Sequence, residues 1–153
     1  MSLFSEDVSS GIFHPLMPFA PKHNVRLILV NARDIGQSTP YTEAELALLN
    51  SKNPAENAQF MRGVILEFAN FVAWLVQHEN VPRFVEDSVG GKTGGISLIA
   101  WSAGNGFFTP LFALADTIPS DIRTIIEPYL RSYIIYGKYT DSDAYSSYLT
   151  STS

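Results

Sequence analysis

From Gln59 to His78 the residues Phe60, Met61, Val64, Ile65, Phe68, Phe71, Val72, Leu75 and Val76 recur at helical spacing. They predict a long helix with one apolar stripe. A helix of this kind is marginal in water on its own, so its stripe must be covered by other parts of the chain. The sequence offers three short aliphatic runs for that purpose: Val25–Asn31 (VRLILVN), Ile96–Ala100 (ISLIA) and Arg131–Tyr136 (RSYIIY). Nearly continuous aliphatic runs of this length are the mark of strands buried in a parallel sheet. With a second helix expected from the end of the middle run to about Ala115, the order is strand, helix, strand, helix, strand. That order predicts the α/β class, a parallel sheet with right-handed crossovers and flanking helices.

The rest of the chain supplies connections. Residues 12–20, FHPLMPFA and its neighbours, predict a short helix interrupted or opened by Pro15 and Pro18. Residues 32–46 are polar and turn-rich, with Gly36, Ser38 and Pro40 marking a loop and Thr42 placed to cap a short helix. Pro110 predicts a kink or break near Thr109 in the later helix. The 153 residues, 46% of them hydrophobic, fit one globular domain.

Charge and composition narrow the function. A net charge of −5 and ten scattered Lys and Arg residues argue against a nucleic-acid binder. With no cysteine there is no disulfide framework, thiol nucleophile or thiolate metal site. No metal or other cofactor is expected. The first residues, MSLFSEDVSSG, carry acids where a signal peptide is basic, and no apolar run reads as the roughly 18 residues of a membrane span. The expectation is a cytoplasmic protein.

Two glycine-containing segments invite chemistry. GGKTGG, Gly90–Gly95, holds the Gly-Lys-Thr of a phosphate loop, but position 86 is Glu where that motif needs glycine, and a strand rather than a helix follows. It reads as a turn. LIAWSAGNGFF differs, because a strand, a tight turn and a helix follow in the order of a nucleophile elbow. Ser102 is the candidate nucleophile, Ala103 N–H the candidate oxyanion donor, and Ala100, Trp101 and Gly104 complete the turn. Small residues at 100 and 104 would let helix and strand pack closely, and Ser102 is expected in strained backbone geometry. The alternative is that Ser102 only caps the helix.

From about Phe13 to Tyr136 the chain resembles the first half of an α/β-hydrolase, of the kind found in lipases, esterases and epoxide hydrolases. VRLILVNARDIGQSTPY is similar to that family's fourth strand and following loop, with Arg33, Gly36 and Ser38 in the characteristic places; LIAWSAGNGFF is similar to its fifth strand and elbow, and RSYIIYGKY to its sixth strand. The resemblance implies a partial α/β-hydrolase fold over residues 1–137, a truncated copy followed by a polar, flexible tail at 138–153. It also implies a serine hydrolase acting on a small apolar ester or similar acyl substrate.

The departures from the family bear on activity. Its triad runs Ser, acid, His along the chain, whereas His14, His23 and His78 all precede Ser102. Asp141 and Asp143 stand where some members carry the triad acid. Topology sends His23 and His78 to the edge of the sheet away from Ser102 and leaves His14 as the candidate base. The His-Gly segment that brings the second oxyanion donor has no counterpart upstream of Phe13, nor has the strand that lies between the fourth and fifth. Strands are spaced about 4.8 Å apart, so Val25–Asn31 and Ile96–Ala100 would either close up or face each other across about twice that distance, leaving apolar edges prone to aggregation. Two readings follow: a serine hydrolase inactive as this chain, or a non-catalytic relative that binds a ligand or partner.

Overall fold

Asn53 and Pro54 start the central helix. The structure, a computed structural model, describes residues 14–101 and 104–136; the tail expected at 138–153 lies outside them. The Asn53 side chain accepts a hydrogen bond from Ala55 N at 3.0 Å, and Pro54 occupies the first turn, where its missing N–H costs nothing. The helix runs Pro54–His78 and so starts before the expected Gln59, because the first turn is polar and is set by the cap. Counting in chain order, α1 is Glu43–Leu49, this helix is α2, α3 is Gly104–Ala113 and α4 is Ser120–Ile126. Strands are fewer: β1 Val85–Glu86, β2 Lys92–Thr93, β3 Ile96–Trp101 and β4 Leu130–Tyr136.

The core forms where the stripe of α2 meets the other elements. Phe60, Val64, Ile65, Phe68, Ala69, Val72, Ala73, Leu75 and Val76 are buried, and they pack with Ile96, Leu98 and Ala100 of β3, Leu111 of α3, Ile118 and Ile126. By length and composition α2 is also apolar enough to cross a membrane, which corrects the sequence reading that no run is. Half of its most apolar window is buried inside the fold, as expected of a core helix. Alternation along β3 decides which way it faces: Ile96, Leu98 and Ala100 are buried against the helices, and Ser97 and Ile99 on the other face are only partly covered.

The expected fold class is overturned. Instead of an α/β-hydrolase-like parallel sheet flanked by helices, the described residues hold two separate two-stranded sheets, β1 with β2 antiparallel and β3 with β4 parallel. The Val25–Asn31 run forms no ladder; only Leu29 makes a single bridge. Aliphatic composition favours a strand only where a neighbour offers backbone partners, and here the run stays extended, with Ile28 and Val30 against the core and Val25 and Leu29 exposed. The first expected helix is a pair of 3-10 turns, His14–Leu16 and Pro21–His23. Pro110 does not break α3, which continues to Ala113 before tightening into a 3-10 turn at Ala115–Thr117. Pro110 removes one donor, its own N–H, and the helix continues for three residues beyond it.

GGKTGG is a hairpin element and no phosphate cradle. Lys92 and Thr93 are β2 itself, in register with Glu86 and Val85. The Asp87 carboxylate accepts from Val89 N at 3.0 Å and Gly91 N at 2.7 Å, filling the turn with an anion of the chain's own. Gly94 and Gly95, with φ of 65° and 78°, turn the chain into β3. A Cβ at Gly94 would strike the Arg83 carbonyl, so both backbone angle and space demand glycine.

Ile65, 1% exposed on the buried stripe of α2, and Leu66, 37% exposed beside it, separate burial from helix propensity. Ile65→Ala is expected to lose about 2–5 kcal/mol of stability in urea unfolding, and Leu66→Ala less than about 1 kcal/mol. Equal losses would show that α2 is not held by this core.

Candidate functional site

The strand-to-helix connection predicted around Ser102 is present in its flanks. β3 ends at Trp101 and α3 begins at Gly104. Ser102 and Ala103, the expected nucleophile and oxyanion donor, lie outside the described residues, so the strained geometry expected of Ser102 is not described either. Ala100 is 2% exposed at the penultimate position of β3, where a larger side chain would press into the core. Gly104 opens α3. A Cβ at Gly104 would meet nothing within 4 Å among the described residues.

β4 lies parallel to β3, with Leu98 opposite Tyr133 and Ala100 opposite Ile135. A parallel pair requires a crossover, and α3 and α4 supply it. Three polar residues that sequence reading passed over cluster here. Asn105, in the first turn of α3, is a buried polar side chain at 6% exposure. One turn on, Thr109 Oγ1 lies 3.3 Å from the Tyr133 hydroxyl, and the Tyr133 ring stacks on Phe112 with centroids 4.7 Å apart. The signal was available in the spacing. Asn105, Thr109 and Phe112 follow i, i+4, i+7 on one helix face, and Thr109 and Phe112 meet Tyr133 of β4. These are neutral donors and acceptors; they can orient a group but cannot take up a proton at neutral pH.

The histidines are dispersed. His14 opens the first 3-10 turn and is exposed. His23 lines a groove together with Lys92, Thr93, Gly94 and Gly95, the residues leading into the amino end of β3. His78 closes α2, its Nδ1 2.8 Å from the Trp74 carbonyl and its ring stacked on the Trp74 ring at 5.1 Å. Asp141 and Asp143 lie outside the described residues. Among the described residues no group of three or more His, Cys, Asp or Glu is placed to hold a metal ion.

Of Arg33, Gly36 and Ser38, the loop residues singled out by resemblance, Arg33 forms a clamp, and Gly36 (φ 61°) and Ser38 shape the turn. Arg33 Nη1 donates to Glu45 Oε1 and to Glu67 Oε1, both at 2.6 Å, and Nη2 donates to Glu45 Oε2 at 2.7 Å and to the Pro40 carbonyl at 2.8 Å. Its guanidinium lies 4.5 Å from the centre of the Tyr41 ring. Ser38 Oγ accepts from Ile35 N and donates within the turn, to the Ala32 carbonyl at 2.6 Å. Thr42 caps α1 as expected, in a capping box with Glu45. One carboxylate therefore serves the cap and the clamp together, tying the 33–41 loop and α1 to α2. The Arg33 hydrogen bonds and those from Thr42 hold the Glu45 carboxyl down at about 2, and the same pairing holds Arg33 firmly charged. Burial, with Glu67 nearby, pushes the Tyr41 hydroxyl up.

Compared with known protein families, characterised proteins and solved structures, the chain matches none.

Because Glu45 titrates lower in the folded chain than its ordinary 4.5, the clamp's contribution is complete above about pH 4.5 and is lost as the pH falls toward 2. Thermal unfolding from pH 6 to pH 2.5 is expected to show a fall in Tm that is shallower in Glu45→Gln. Parallel pH profiles in the two proteins would show that the clamp is not ionic.

Proposed function

We propose that this chain is related to serine hydrolases that act on small apolar esters or similar acyl compounds, with Ser102 in the nucleophile position, and that it does not turn such substrates over. The observation that carries the relationship is the short passage from β3 to α3 beside the parallel strand β4. A serine at such a junction meets the amino end of a helix, where the N–H of Ala103 would stabilise a developing oxyanion. In the reaction, a base takes the Ser102 proton as the hydroxyl oxygen attacks the carbonyl carbon. The base then protonates the departing alcohol, and water, deprotonated in its turn, releases the acid from the acyl-enzyme.

The inactivity rests on the base, for which the described histidines supply no oriented candidate. His23 belongs to the approach to the amino end of β3, and His78 is engaged with Trp74. His14 is exposed in a turn at the start of the described chain, and among the described residues no carboxylate hydrogen-bonds to it. These placements favour the second reading, in which the scaffold is kept for binding. Loss of the triad base from an intact serine hydrolase, as in subtilisin, costs about 10⁶-fold in kcat.

A fluorophosphonate probe reacts with a serine only where the hydroxyl is activated. The expected result is no labelling of the wild-type chain above Ser102→Ala, and equal, background hydrolysis of p-nitrophenyl acetate by both. Stoichiometric labelling at Ser102 would overturn the inactivity and make His14→Ala the next variant to examine.

A further inference from the structure

A groove of about 640 Å³ runs between residues 23–28 and β3. Residues 92–97 and Ile99 form its other wall, with Leu75 of α2 and Arg131 of β4 also lining it. It sits toward the amino end of β3, whereas Ser102 follows the carboxyl end, so an occupant of the groove is independent of any hydrolase chemistry.

Three properties of the groove agree on what fits it. The first is its backbone edge. Among the described ladders β3 pairs with β4 alone. In a parallel strand the N–H and C=O of one residue point to one side and those of the next to the other, so alternate residues of β3 turn both groups away from β4. The second is size. An extended residue in a sheet fills about 4.8 Å by 3.4 Å by 10 Å, or about 160 Å³; the groove therefore takes about four residues, the length of β3 that borders it, from Ile96 to Ile99. The third is charge. On a chain of net charge −5, the lining carries Arg26, Lys92 and Arg131 against one carboxylate, Glu79. Glu79 is already taken by Arg26 at 3.0 Å. Lys92 lies 3.7 Å from Glu86 on the hairpin, and each side chain is 50% exposed, a loose pair that an incoming carboxylate can replace. A compact apolar molecule would use neither the backbone edge nor the cations.

We propose that the groove between residues 23–28 and β3 is a strand-addition site that takes an extended, acidic peptide segment of a partner protein, its backbone laddering onto β3 and its carboxylates meeting Lys92 and Arg131.

The probe is a fluorescent peptide, acetyl-Asp-Val-Glu-Ile-Thr-Val-Glu-amide, titrated into the full chain and followed by anisotropy. A second peptide carries Lys in place of its three acids, and a third carries Pro at both Val positions. Binding of the first peptide is expected, weakened at least tenfold in the lysine peptide, in the proline peptide and in the double variant Lys92→Glu, Arg131→Glu, and weakened by raised salt. Hydrogen exchange at residues 96–99 is expected to slow when the first peptide binds. Lys92→Glu alone, on an exposed hairpin position, gives a weaker effect in the same direction if the double variant fails to fold. The proposal is overturned if no peptide binds, if acidic and lysine peptides bind equally, or if exchange slows elsewhere instead. It is equally overturned if binding appears only after removal of residues 1–13 or 137–153, which would make the chain's own segment the occupant, or if the groove variants abolish a dimer of the free chain.

Discussion

Burial of one stripe of α2 is the interaction on which the other elements depend. β3 and β4 make a sheet of two strands, too small to persist in water without a packed face, and α1 and α4 have seven residues each, below the length at which a helix is stable alone. Each of these becomes stable by covering part of the same stripe. Ala69, fully buried at 0% exposure, keeps the middle of α2 flat enough for its neighbours to approach. The Arg33 clamp works toward the same end from the other side, because Glu45 belongs to α1 and Glu67 to α2.

Parallel strands are ordinarily covered on both faces, and this pair departs from that habit. Its buried face meets α2 and α3. Its opposite face, among the described residues, carries a hydroxyl pair, Ser132 Oγ donating to Ser97 Oγ at 2.7 Å, and Ile134 at 43% exposure. The helices are therefore gathered on one side of a narrow sheet. A ladder to Val25–Asn31 would have widened that sheet; instead Val25–Ile28 face β3 across a groove. The same departure that overturns the expected fold class leaves the groove open.

The two ends of β3 thus differ in chemistry. Beyond the carboxyl end lies a helix start, with the neutral groups Asn105, Thr109 and Tyr133 nearby and no described histidine assigned to it. Toward the amino end lie cations, backbone groups turned outward and His23. Charge and exposed backbone are therefore gathered at one end of β3 and neutral side chains at the other.

The elements legible in the residues themselves are those whose signals are local. The capping box of Thr42 and Glu45 spans four residues, the stripe of α2 repeats within each turn, and the glycines at 94 and 95 answer backbone angles that no other residue adopts cheaply. The runs that became β3 and β4 were legible as strands for the same reason. The fate of Val25–Asn31, which is as aliphatic as β3, was settled only by packing in three dimensions. A strand is completed by hydrogen bonds to a neighbour that can lie anywhere in the chain, and composition does not say whether that neighbour arrives. Packing settled the candidate sites in the same way: Arg33 meets Glu67 across 34 residues, Thr109 meets Tyr133 across 24, and Arg131 joins a groove whose other wall begins at His23. Pairings at that separation leave no periodic trace, because they depend on how α2 brings the elements together and not on any spacing within them.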